Sequence, residues 1–507
     1  MNTDTSQQEL FGHPKGLFYL FFAELWERFS FYGMRALLML YMVNEIFKAL
    51  AEKDTAAAIV YASYGSLVYA STVIGGRISD KILGMRSSIF LGGILMALGH
   101  FVLAIENDIA FFMALAFIVV GNGFFKPNIS TFVGSLYKEG DRRKDSGFTI
   151  FYMGINIGGF AAPLLCGWLA VKYGWHYGFG LAGVGMLVGL IFFWSGIQKN
   201  VFGNLGLPPS REVYNKEYLG IPLKIMIPII AFVVTPLIAY ILASYKSIAG
   251  GETFLGDQNY VNLIFKFIGV GIVFYLGSVL YKATLDERKK LIVAILITFF
   301  MTLFWGFHEL SGSVITLFAD RNVNLSYMNA SQTNSLNSLV IIVLSIPISL
   351  LWAYLSKRKL NPRTPYKFGF GLILAGLSFY VLSLSKGSAD ANGMVPFAYL
   401  IIMYFILSIG ELFMSPVGLS KITDLSPKRI ISFMMGIWFL SSAFAFQIVG
   451  FISKKLAVES TDANVGGLQT LEIYTNGFGL IANYALGAGI LILIISPLIK
   501  KLMGNVH

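Results

Sequence analysis

Apolar runs long enough to cross a lipid bilayer alternate with short charged or turn-rich breaks along almost the whole chain. A spanning helix needs about 20 predominantly apolar residues. By that measure the pattern predicts fourteen spans, at 17–46, 57–78, 87–105, 109–133, 147–171, 178–198, 222–245, 261–281, 291–318, 335–356, 367–385, 396–420, 430–453 and 476–499. The composition agrees: of 507 residues 56% are hydrophobic and only 13% charged, against about 25% charged in a soluble domain. The expected fold class is an all-α integral membrane protein. Spans 222–245 and 261–281 follow a stretch at 199–221 rich in Pro, Gly and charge, and read as a hairpin inserted between two groups of six. The expected domains are an N-terminal six-helix bundle at 1–198, a cytoplasmic linker with the hairpin at 199–290, and a C-terminal six-helix bundle at 291–507. The opening Met1 to Gln8 is polar and has no cationic start before a short apolar run, so no cleavable signal peptide is expected.

Charge sets the orientation. With loops assigned alternately to the two sides, one side carries 26 Lys and Arg and the other 8, while Arg28, Arg35, Lys126 and Lys266 fall within spans. Positive loops stay cytoplasmic, so both termini are expected inside. The same bias explains the net charge of +11 without a nucleic-acid partner. A single cysteine, Cys166, excludes a disulfide framework and a Cys-based metal site. Neither a phosphate-cradling Gly loop nor a nucleophile–base pair is present, so neither nucleotide-driven pumping nor an enzyme is expected, and no cofactor or metal. Two sequons, at Asn324 and Asn329, are of a kind common by chance and carry no argument.

Ionisable groups at membrane depth cost about 2.5–3.5 kcal/mol each on insertion scales and mark substrate or ion pathways. Here they cluster. Glu24, Glu27, Arg28, Tyr32 and Arg35 make one polar stripe on the first helix. Glu24 and Arg28 form an i,i+4 pair, and two carboxylates beside one guanidinium make a site at which one proton can come and go. Lys126 lies mid-span among Gly121, Gly123 and Pro127, which are expected to interrupt the fourth helix; from there its ammonium cannot snorkel to the interface and needs an anion. Glu309 and Glu411 are lone acids in apolar runs. His308, next to Glu309 in the ninth span, reads equally as a satisfied core histidine or as a proton relay. Tyr32, Tyr69, Tyr152, Asn156, Asn337 and Trp438 also sit mid-span; singly each is packing, together they suit a cavity that holds a zwitterion by its ends.

Two resemblances sharpen this reading. The stretch Gly76 to Arg86, with Gly76, Asp80, Lys81, Gly84 and Arg86 in place, is similar to the loop between the second and third helices of major facilitator superfamily transporters. Glu24-Leu25-Trp26-Glu27-Arg28-Phe29-Ser30-Phe31-Tyr32-Gly33 resembles the ExxERFxYYG motif of the proton-dependent oligopeptide transporters, with Phe31 for the usual first Tyr. Gly123 to Ser130, Phe151 to Gly159, Gly410 to Leu419 and Met434 to Phe439 match the same family in order. The inserted helix pair is similar to that of its bacterial members.

The resemblance implies a major facilitator fold and import of di- and tripeptides driven by the proton gradient, by alternating access of two six-helix bundles, in a functional monomer whose partners are peptide, protons and lipid. By position Glu24, Glu27, Arg28 and Lys126 would take the coupling role, and Glu309 would pair with Arg35 in an outward-side gate and carry a proton. Glu411 would hold the peptide amino end, Asn156 and Asn337 its backbone, Arg35 and Lys126 its carboxylate; Tyr32, Tyr69 and Trp438 would line side-chain pockets. The chain departs from the family at His308-Glu309-Leu310, where Glu-Gln is common, and at Ser338, where Pro is usual. A carrier of another small anion or of a peptide-mimetic drug, or a peptide-sensing membrane protein, is the alternative.

Overall fold

The described part of each predicted span is largely helical in the computed structural model, which describes residues 9–138, 140–141, 143–246, 259–414, 421–422, 425–427, 430–458 and 466–503. The helices are α1 (Lys15–Tyr41), α2 (Lys53–Ile78), α3 (Gly84–Leu103), α4 (Asp108–Ser135), α5 (Arg143–Tyr173), α6 (Trp175–Gln198), α7 (Leu223–Ala243), α8 (Tyr260–Lys282), α9 (Leu285–His308), α10 (Ser335–Lys357), α11 (Thr364–Leu384), α12 (Ala398–Met414), α13 (Ile431–Lys455) and α14 (Gly467–Met503). Eleven helical stretches among the described residues are long and apolar enough to cross a membrane, α2 and α3 counting as one. The 17 residues of α12 fall just short. Glu24, Glu27, Arg28 and Arg35 keep α1 out of that set. Helices of membrane-spanning length dominate the described residues, an essentially all-α architecture.

Local chemistry explains the boundaries. Asn107 caps α4, its side chain accepting from the backbone N–H of Ile109 at 2.8 Å and Ala110 at 3.3 Å. Thr284 and Glu287 form a reciprocal capping box at the start of α9. Two expectations fail in detail. The fourth helix is not interrupted: α4 runs unbroken through Pro127. Proline removes only one backbone donor, the one that would serve the Gly123 carbonyl, and the next turn holds, with the Asn128 side chain donating to the Phe124 carbonyl at 2.7 Å. The ninth span, by contrast, is not one helix. It stops at His308, tightens through the 3-10 turn Glu309–Gly312, and resumes as Val314–Asn322 after Ser313, whose φ of −128° and ψ of −96° leave the helical region.

The chain forms two compact units, one of Met1–Leu38 and Leu67–Ala243, the other of Met39–Ser66 and Ser244–His507. The C-terminal end of α1 and the first part of α2 thus belong with the later helices. In the first unit α3 and α4 approach so closely that a Cβ on Gly92 would lie 2.5 Å from the Gly121 carbonyl oxygen. Phe232 of α7 meets Phe117 of α4 edge to face, so the first inserted helix lies on this unit. Its core gathers Phe125, Ile129, Phe132 and Phe193 with Phe202 of the linker. In the second unit α11 packs along α14, and α8 meets α13 through Phe265 with Phe444 and Tyr275 with Phe433. Both inserted helices remain largely apolar and exposed, as with Val233 at 69% and Phe274 at 75%, which suits faces turned to lipid.

Candidate functional site

The polar stripe of α1 folds into a buried ion cluster in the first unit. Glu24, Glu27 and Arg28 are 3%, 0% and 3% exposed. Glu27, the chain neighbour of Arg28, is its main partner: Arg28 Nη2 donates to Glu27 Oε1 at 2.7 Å and Nε pairs with the other oxygen. Glu24, the i,i+4 partner, reaches the same Nε at 3.3 Å through one oxygen. Its second oxygen is buried without a hydrogen-bond partner among the described residues. Lys126 of α4 acts electrostatically on Glu24, and its Nζ stands 4.0 Å from the Tyr69 ring centroid. Two carboxylates therefore face two cations, and gain or loss of one proton tips the balance. The stripe continues with Tyr32, whose ring lies 5.8 Å from the Arg28 guanidinium and 6.0 Å from that of Arg35. Asn156 is buried on α5, where its amide donates to the Tyr152 carbonyl at 3.0 Å.

The second unit brings together three residues far apart in sequence. Glu411 of α12, His308 at the end of α9 and Asn337 of α10 meet at Glu411 Oε2, with His308 Nε2 at 3.0 Å and the Asn337 amide donating at 3.0 Å. Asn337 also donates to Ser408 Oγ at 2.9 Å, one helical turn before Glu411, and Ser408 in turn donates to the Tyr404 carbonyl at 2.7 Å. Phe304 stacks on the His308 ring and Trp305 meets it edge-on. His308 is thus the direct partner of Glu411. Among the described residues no three His, Cys, Asp or Glu side chains come together to hold a metal. Glu309 is 5% exposed and Trp438 half-buried in the same unit, whereas Arg35 belongs to the first.

Gly76, Asp80, Lys81, Gly84 and Arg86 shape the connection from α2 to α3. Ser79–Leu83 continue α2 as a π-helical turn carrying Asp80 and Lys81 exposed. Gly84, at φ +72°, makes the corner, and a Cβ there would lie 2.6 Å from the Leu207 carbonyl. Gly76 faces Pro127. Arg86 ties the corner to the linker, donating to the carbonyls of Leu205 at 2.7 Å and Gly203 at 2.6 Å. At the neighbouring α4–α5 connection Arg143 donates to Asp141 at 2.9 Å and holds that carboxyl below the usual carboxylate range.

One buried cluster escaped sequence reasoning. Asp54, 1% exposed at the start of α2, takes a two-pronged contact from Arg321, at 2.6 and 2.7 Å. The same guanidinium donates to Tyr474 Oη at 2.9 Å, and the Val458 N–H donates to Asp54 at 3.1 Å. The one signal was an Asp and an Arg at the ends of apolar spans. The last part of the Gly410 to Leu419 motif, from Ser415, lies outside the described residues.

The family model that matches residues 86–468 is that of the POT family. An uncharacterised transporter, YclF, of Bacillus subtilis (strain 168) is 37% identical over 99% of this chain and 97% of its own. The di-/tripeptide transporter of Lactococcus lactis subsp. lactis (strain IL1403) is 33% identical over the full length of both. Among solved structures, a peptide transporter POT in complex with sulfate superposes with a TM-score of 0.82 at 37% identity, covering 98% of each chain.

Proposed function

Since the chain belongs to the POT family of proton-dependent oligopeptide transporters, we propose that it imports di- and tripeptides together with protons across a bacterial inner membrane, both termini cytoplasmic. The protein is a peptide transporter; its coupling ion and substrate contacts are the finer reading. One observation carries it: a buried cluster in which Glu24 and Glu27 balance Arg28 and Lys126. A peptide carboxylate drawn to Arg28, Arg35 or Lys126 competes with the glutamates for positive charge, and the displaced glutamate takes a proton. Peptide and proton then favour each other's binding, reciprocally. Glu411, already arranged to accept hydrogen bonds from His308 and Asn337, takes the peptide amino end. Asn156 and Asn337 hold its backbone, and Tyr32, Tyr69 and Trp438 its side chains. Glu309 is a second proton carrier, and Gly76 to Arg86 form a connection that must flex as the carrier alternates. Functional monomers in lipid suffice.

Competition tests the substrate class. Purified protein in proteoliposomes, given an inward proton gradient, takes up radiolabelled dialanine; unlabelled di- and tripeptides suppress the signal while free alanine and tetraalanine leave it unchanged. Suppression by free alanine equal to that by dialanine would refute the reading.

A further inference from the structure

Resting on the reading that Glu411 takes the peptide amino end, we propose that His308 is a proton-binding site in its own right, and that a proton on His308 and a peptide ammonium on Glu411 exclude each other. Asn337 Nδ2 carries two hydrogens, and three acceptors surround it: Ser408 Oγ at 2.9 Å, Glu411 Oε2 at 3.0 Å and His308 Nε2 at 3.3 Å. The two shorter contacts use both hydrogens. His308 Nε2 is therefore itself the donor in its 3.0 Å contact with the carboxylate. That assignment leaves Nδ1 as a lone pair, buried with no hydrogen-bond partner among the described residues.

A proton taken up at Nδ1 makes an imidazolium paired with Glu411. A peptide ammonium docked on the same carboxylate uses that charge and sets a second cation beside the ring. The exchange balances: an imidazolium–carboxylate pair and a peptide ammonium become an ammonium–carboxylate pair, a neutral imidazole and one proton released to water. Conversely, a proton on His308 weakens the hold of Glu411 on the amino end.

Other charges near α9 do not substitute for this pair. Glu309 is the next residue in the chain. On α11, Lys367 rests its ammonium 4.1 Å from the Trp352 ring. On α13, Lys454 and Lys455 lie more than a turn beyond Ile448, the residue that faces Gly306. On α14, Glu472 is paired with Lys386 at 2.8 Å, and Lys500 and Lys501 occupy the last turn. α10 contributes the uncharged Asn337.

Calorimetric titration of dialanine into the purified full-length protein, in two buffers of different ionisation enthalpy, counts the protons exchanged per peptide bound. His308→Gln keeps a donor for Glu411 but does not titrate; His308→Phe is the second variant. Wild type is expected to release more protons than either, the difference approaching one per peptide where His308 is charged. Below that point its dialanine Kd should rise, relative to His308→Gln, about tenfold per pH unit. Equal proton counts in wild type and both variants, in a background where Glu411→Gln weakens dialanine binding, would overturn this inference alone. Unchanged dialanine binding in Glu411→Gln would overturn the amino-end reading, and this inference with it.

Discussion

Replacing Glu27 by Gln should uncouple the carrier while leaving it able to move peptide. Glu27 is fully buried and holds Arg28 through both oxygens, whereas Glu24 touches the guanidinium with one, at 3.3 Å. With both glutamates ionised the cluster of Glu24, Glu27, Arg28 and Lys126 is neutral; a proton on either makes it +1. Glu27→Gln fixes that +1 permanently, so a peptide carboxylate can enter without a proton. Gln still offers an amide oxygen to Arg28, which limits the structural loss to about 1–3 kcal/mol, the cost of weakening one buried charged hydrogen bond. The functional change is larger. One pH unit is worth 1.36 kcal/mol per proton, so a gradient of about two units can drive accumulation of about 100-fold per coupled proton, and the variant should fall to about 1-fold. Proteoliposomes measure both modes: gradient-driven accumulation of radiolabelled dialanine, and its exchange against unlabelled dialanine without a gradient. The variant is expected to lose the first and keep exchange within about threefold. Gradient-dependent accumulation by a folded Glu27→Gln protein at the wild-type level would refute the charge-balance argument.

Three further outcomes follow from other contacts. Glu411→Ala should weaken binding of dialanine by about 100-fold, roughly the 3 kcal/mol of a desolvated charged contact, and leave N-acetyl-dialanine little changed; equal losses for both, read by calorimetry, would count against the amino-end assignment. Asp54→Ala takes both carboxylate contacts from the largely buried Arg321, and should cost about 3 kcal/mol, seen as a lower midpoint in thermal unfolding of the detergent-purified protein; an unchanged midpoint contradicts that role. Gly84→Ala meets both a positive φ and the Leu207 carbonyl at 2.6 Å, so it should lower the same midpoint by the equivalent of at least 1 kcal/mol, whereas alanine at Gly140, exposed with open space around its Cα, meets only the φ of +81° and should cost less.

Much of the membrane organisation was legible because water and lipid sort residues so strongly: the apolar runs are largely helical where described, and the charged stripe of α1 stood out by its cost. Glu24, Glu27 and Arg28 were readable as a site because they share one helix face. The partnership inside that site was not, since the i,i+4 rule pointed to Glu24 while side-chain rotamers gave Arg28 to its neighbour Glu27. His308, Asn337 and Glu411 carried their types in the sequence but not their meeting, because three separate helices bring them together. The same holds for Asp54 and Arg321, 267 residues apart. Pro127 and Gly123 suggested a broken helix, yet breakage depends on how the neighbourhood satisfies the backbone. At the ninth span the break falls instead at Ser313, where no proline announces it but Ser311 and Gly312 form a small polar run inside the apolar stretch.

The central claim, that this carrier concentrates peptides at the expense of a proton gradient, is tested most directly by dialanine uptake into proteoliposomes holding the wild-type protein, with an inward proton gradient and then with that gradient collapsed by an uncoupler. The account predicts accumulation above the external concentration that vanishes on collapse. Accumulation that persists after the gradient is gone, or none at all from protein shown to be folded, would contradict it.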